Sequence, residues 1–97
     1  MTTQLNKFKR EMEPAKNLYS RELKRFAQNY DFLGEIRLTE EPDIDTQDYI
    51  FAFGKLNGTS EDILDTTLKE LYAHMAKFSK DNEIYEFCRN ATISYQR

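Results

Sequence analysis

Between Leu5 and Tyr30 an apolar residue returns at every third or fourth position: Leu5, Phe8, Met12, Ala15, Tyr19, Leu23, Phe26 and Tyr30. That spacing keeps a single stripe in phase along one side of a helix, and such a stripe must lie on something apolar. Residues 4–31 therefore read as helix, which commits roughly the first third of the chain. Pro14 falls inside the stretch, where it removes a hydrogen bond and clashes with the preceding turn. The expectation is a break or a kink: residues 1–13 form a short, solvated N-terminal arm carrying Lys9, Arg10 and Glu11, and the main helix starts with Pro14 in its first turn. Gly34 marks the turn that follows.

The next signals have the period of strands. Residues 35–39, Glu-Ile-Arg-Leu-Thr, alternate polar and apolar and read as a strand buried on one side. Residues 40–48, EEPDIDTQD, hold Pro42 and crowded carboxylates and read as a loop. Residues 49–56, Tyr-Ile-Phe-Ala-Phe-Gly-Lys-Leu, are the most strand-like run, with Gly54 at a bulge. The chain has no Val and no Trp, so Ile, Thr and the 7 Phe and 6 Tyr carry strand propensity and core volume. Asn57-Gly58 then turns the chain.

Ser60 is placed to cap a second helix whose first turns hold Glu61, Asp62 and Asp65, the charge the helix dipole favours there. Leu64, Leu68, Leu71, Met75 and Phe78 line its apolar side, and Asp81-Asn82 closes it. Residues 84–95 alternate again, with Tyr85, Phe87, Ala91, Ile93 and Tyr95 on one parity. They read as a last strand, either continuous or folded into a hairpin near Arg89-Asn90. The expected fold is an α/β (α+β) sandwich in the order α-β-β-α-β: a three- or four-stranded, mainly antiparallel sheet with two helices on one face. The 97 residues suit one domain, 1–97.

Common site chemistries find little to work with. His74 is the only histidine and Cys88 the only cysteine. A mechanism or metal site that needs two histidines is excluded, as is an internal disulfide, and a lone thiol fits a reducing compartment. Gly34, Gly54 and Gly58 lie too far apart for a phosphate-cradling loop, and no Walker lysine is present. Asp43, Asp45 and Asp48 superficially match a calcium loop. Counting from Asp43, however, the sixth position is Asp48 rather than Gly and the twelfth is Gly54 rather than Glu. The expectation is a protein that is not an enzyme and carries no cofactor and no metal. The chain also shows no signal-peptide run and no membrane span, so a cytoplasmic setting is expected.

Charge is the remaining signal. The net charge of −3 is unevenly placed: residues 1–30 carry +4, residues 31–65 carry −8 and residues 66–97 carry +1. The basic group of Lys7, Lys9, Arg10, Lys16, Arg21, Lys24 and Arg25 suits the solvated side of an amphipathic helix. An alternative role for Arg21, Lys24 and Arg25 is direct contact with DNA or RNA phosphates. The acidic group is Glu40, Glu41, Asp43, Asp45 and Asp48, followed by Glu61, Asp62 and Asp65. If residues 49–56 form one strand, these two clusters lie about 25 Å apart and flank the sheet like phosphates along a backbone. A basic, nucleic-acid-binding protein is then the expected partner, met by those carboxylates with Tyr49 as an apolar anchor. Self-association, through a sheet edge or the Phe8–Met12 arm, is a further alternative, and oligomeric state is left open.

In its size and in the stretch TEEPDIDTQDY, residues 39–49, the chain resembles the phage and mobile-element inhibitors called anti-CRISPR proteins, in particular those that mimic DNA. The resemblance implies a non-enzymatic inhibitor that blocks target-DNA binding at the basic surface of a CRISPR surveillance complex, in the cytoplasm of the host cell. The basic first helix departs from the most acidic of these mimics.

Overall fold

The computed structural model describes residues 2–42 and 47–96, with the backbone alone for residues 2–10. The elements are α1 (Thr2–Ala27), β1 (Leu33–Pro42), β2 (Gln47–Lys55), α2 (Glu61–Asp81), α3 (Tyr85–Arg89) and β3 (Ala91–Tyr95). The sheet has three strands in the order β1-β2-β3. β1 pairs antiparallel with β2, and α2 and α3 carry the chain back so that β3 runs parallel to β2. The α+β class and the packing of helices on a sheet agree with the sequence. The longer ladder, β1–β2, is antiparallel as expected, and the shorter one is parallel because α2 acts as a crossover that carries the chain back along the sheet before β3 begins.

β2 is central because alternate residues give it one wholly buried side. Gln47, Tyr49, Phe51 and Phe53 are buried, and Asp48, Ile50, Ala52 and Gly54 are not. Opposite them Ile36, Leu38 and Ile93 point the same way. α1 lays Tyr19 and Leu23 on this surface, α2 adds Leu71 and Met75, and α3 adds Phe87. The rings of Tyr19, Phe51, Phe87 and Tyr49 form one cluster, with centroids 4.6 to 5.2 Å apart along that sequence of neighbours except for the longer 6.4 Å Phe51–Phe87 approach. The other side of the sheet carries no helix.

Four local expectations are corrected. The break at Pro14 is absent: α1 runs continuously from Thr2 to Ala27. Pro14 is exposed, and the stripe continues in phase from Met12 through Ala15 to Tyr19, so packing outweighs the one bond lost at the Arg10 carbonyl. Secondly, Glu40–Pro42 belong to β1 rather than to a loop: Glu41 pairs with Asp48 and Pro42 with Gln47, which shortens the connection to residues 43–46, outside the described residues. The irregularity near Gly54 sits on the facing strand, between Leu33 and Ile36, where the Gln96 side-chain amide donates to the Glu35 carbonyl at 3.3 Å. Finally, Tyr85–Arg89 form a helical turn instead of a strand. Ile84, Phe87 and Cys88 are three and four residues apart and all pack on the core, so helical period competes with alternation in this short segment.

α2 matches its sequence signals closely. Ser60 Oγ accepts the Ile63 N–H at 3.3 Å, and the helix stops at Asp81 before the Asn82 cap. Its Tyr72 also reaches β3. The Ile93 N–H donates to the Tyr72 hydroxyl at 2.7 Å, and that hydroxyl donates to the Ile93 carbonyl at 3.2 Å. Among the described residues, no helix is long and apolar enough to cross a membrane.

Phe87 is fully buried between Tyr19, Tyr49 and Phe51. Phe87→Ala is expected to cost about 3–5 kcal/mol of unfolding free energy in urea titrations. Tyr72→Phe keeps the ring and removes both contacts to Ile93, with an expected loss of about 1–2 kcal/mol.

Candidate partner-binding surface

The acids singled out in the sequence are divided by the fold. Glu40 and Glu41 are neighbours in β1, so their side chains leave opposite sides of the sheet. Glu40 points to the helical side. Its Oε2 lies 3.4 Å from Lys16 Nζ and its Oε1 accepts from Gln47 Nε2 at 3.4 Å. Lys16 also pairs with Glu13 at 3.1 Å. Burial pulls the Lys16 ammonium down, but the Glu13 and Glu40 carboxylates outweigh it and the net shift is upward. The protein's own cation thus engages Glu40.

Glu41 points the other way, onto the side without helices, and stands directly opposite Asp48 across the β1–β2 ladder. Both are exposed, and among the described residues neither has an ion-pair partner. Glu35, Arg37 and Thr39 share that surface, with Ile50, Ala52, Thr92 and Ser94 on the neighbouring strands. Two like charges in directly opposed positions repel, and the ladder holds them there. Asp43 and Asp45 lie outside the described residues.

Glu61, Asp62 and Asp65 are exposed at the start of α2. That helix begins after the Lys55 end of β2, whereas Glu41 and Asp48 sit at the Gln47 end. Residues 49–55 of the strand separate the two groups, about 23 Å of extended chain. They also lie on different layers, one on the helices and one on the open sheet. Of the expected first cluster only Glu41 and Asp48 are brought together among the described residues, and they do not merge with the acids of α2 into one field. Tyr49 is corrected as an anchor. It is 1% exposed, its ring packs 4.6 Å from Phe87, and burial raises its hydroxyl pKa. Core packing uses its apolar area, so none of it faces a partner.

The basic residues sit on the helical layer. Arg21, Lys24 and Arg25 are exposed on α1. Arg25 is held by Glu22 through Nε at 2.8 Å and through Nη2. The same carboxylate meets His74 Nε2 at 2.6 Å, and the His74 ring stacks on Phe26 with centroids 3.8 Å apart and planes 7° apart. The hydrogen bond from Arg25 and the contact with His74 outweigh burial and hold Glu22 down to about 2. Nearby, the Tyr30 hydroxyl donates to Glu70 at 2.8 Å, and burial together with that carboxylate pushes its pKa up to about 12. His74 therefore serves the α1–α2 seam. The sequence signal for this was the i, i+3 pair Glu22–Arg25; the long-range partner His74 was invisible to it. Cys88 is half-buried, its Sγ 4.0 Å from the Met75 carbonyl.

A cleft of about 670 Å³ opens between the end of α1 and the start of β1, lined by Lys24, Tyr30, Asp31, Glu35, Ile36 and neighbouring residues. No group of three or more potential metal ligands occurs among the described residues. Comparison with protein-family models, with curated proteins and with solved structures found no match.

Glu22 gives the seam a defined acid response. Its folded pKa is depressed, so its contribution is complete above the ordinary carboxylate value and is lost as pH falls towards about 2. Chemical denaturation from pH 5 downward is expected to show that loss, and Glu22→Gln is expected to flatten the decline while lowering stability at neutral pH.

Proposed function

We propose that this domain is a non-enzymatic binding protein that presents carboxylates from the open side of its sheet to a basic, nucleic-acid-binding partner protein. The observation that carries this reading is the Glu41–Asp48 pair. The two carboxylates are exposed and opposed, and no described cation of the chain neutralises them. A lysine or arginine supplied from outside relieves their repulsion and gains two acceptors at once. Glu35 extends the acidic character along β1, and Ile50 offers an apolar contact between the charges. Arg21 and Lys24 lie on the helical layer, away from this surface; Arg37 is the cation that shares the open side, four residues along β1 from Glu41.

The acidic surface expected from two clusters flanking the sheet is confined in this reading to the open side. The acids at the start of α2 are accounted for by capping and the helix dipole. Inhibition of a CRISPR surveillance complex is the specific form of this function that the resemblance implies: the carboxylates would occupy the basic surface that receives target DNA.

The reading is tested by titrating the protein into target-DNA binding assays of CRISPR surveillance complexes. Wild type is expected to reduce DNA binding, more strongly at low salt because the contact is between exposed charges. Glu41→Gln with Asp48→Asn is expected to weaken inhibition at least tenfold while leaving the circular dichroism spectrum unchanged. DNA binding unaffected by wild type, or inhibition indifferent to both salt and the double substitution, would overturn the assignment.

A further inference from the structure

The two edges of the sheet are finished differently. Main-chain groups of successive strand residues point to opposite edges. In β3 the Asn90 carbonyl accepts from the Tyr49 N–H, and the Gln96 N–H donates to the Phe53 carbonyl. The even-numbered residues therefore face β2, and Ala91, Ile93 and Tyr95 face outward. Ile93, the middle one, has both its groups satisfied by the Tyr72 hydroxyl. That edge is closed at its centre.

β1 has no equivalent. Since Tyr49 and Phe53 turn their main chain to β3, Asp48, Ile50 and Ala52 turn theirs to β1. There they meet Glu41, Thr39 and Arg37. The N–H and C=O groups of Ile36, Leu38 and Glu40 consequently point away from the sheet. Among the described residues no side chain caps them; the nearest side-chain contact to the β1 main chain is Gln96 on Glu35. Pro42 comes next in the alternation and has no N–H to offer, which ends the free run.

We propose that this edge pairs with the same edge of a second copy of the chain, β1 antiparallel to β1 across a twofold axis, joining two three-stranded sheets into one. The charges of β1 choose the register. Each twofold register sets one residue opposite itself. Centred on Arg37, two guanidiniums would collide. Centred on Leu38, Glu35 would face the partner's Glu41. Centred on Ile36, Glu35 would meet the partner's Arg37, but the pairing would run into the irregularity beside Gly34. Centred on Thr39, Arg37 meets the partner's Glu41 and Glu41 meets the partner's Arg37, with the two threonines between them.

In that last register the main-chain bonds pass through Leu38 and Glu40. The three side-chain pairs fall at the non-hydrogen-bonded positions, where opposed side chains come closest. Arg37 is exposed and has no ion-pair partner within the chain among the described residues. Leu38 meets the stem of the partner's Glu40, and the equivalent carboxylate here is held by its own Lys16. The pairing does not rest on the partner reading above, though it shares Glu41 with it: Arg37 of one copy engages Glu41 of the other, and Asp48 stays on the open surface to meet an external cation.

Sedimentation equilibrium of the full chain at micromolar concentration tests it. Wild type is expected to be a dimer. Arg37→Glu and Glu41→Arg, each alone, are expected to raise the dissociation constant about tenfold or more, because each turns two attractive pairs into two repulsive ones. The double variant Arg37→Glu with Glu41→Arg restores both pairs in reverse and is expected to recover the dimer. Circular dichroism confirms that the exposed substitutions leave each variant folded. A wild type that stays monomeric to hundreds of micromolar overturns the proposal. So does a dimer insensitive to the single reversals, or one the double variant does not restore.

Discussion

Everything in this molecule is hung on the buried side of β2. Tyr49, Phe51 and Phe53 project from alternate positions of one strand, and each is at most 1% exposed. No neighbour on the sheet covers such large rings, so all three helices are drawn to the same surface. Tyr19 from α1 and Phe87 from α3 insert between the rings, and Leu71 and Met75 from α2 close over them. Aromatics of this size supply a large apolar area from few residues, which a small domain needs to offset the entropy of ordering its chain.

The same arrangement decides what is left for partners. With all helices on one layer, the other side of the sheet faces water. Alternation then places Glu35, Arg37, Glu41 and Asp48 there, while Glu40, one residue from Glu41, is turned inward to Lys16. A difference of one position separates a carboxylate that helps hold α1 on the sheet from one that is free to meet an external cation. Opposed acids at Glu41 and Asp48 do nothing for the stability of the ladder, and this is the physical ground for a role at an interface.

The helical layer is held at its seam by polar contacts as well as by core packing. Glu22 gathers Arg25 from its own helix and His74 from α2, and Phe26 stacks on the imidazole. Tyr30 and Glu70 repeat the idea one turn further along. The only histidine of the chain thus has a structural occupation, as has Tyr72, which finishes the outer edge of β3.

Local pattern by itself determined most of the elements. The stripe from Met12 to Phe26, the Ser60 cap and the strand run of β2 each depend on neighbours a few residues apart, and the structure keeps all three, although α1 ends at Ala27, short of Tyr30. Pattern failed where two periods fit one short segment, as at Tyr85–Arg89, and where cross-strand pairing lengthened an element, as at Glu40–Pro42. The candidate surface was legible as residues and illegible as a surface. Sequence showed that Glu40, Glu41, Asp48, Glu61, Asp62 and Asp65 were acidic and crowded. Only the tertiary structure decided that Glu40 is neutralised, that Tyr49 is core, and that the acids of α2 sit at the far end of the sheet on another layer. Those outcomes depend on strand register and on which side of the sheet the helices cover, and both are set by contacts between residues distant in the chain.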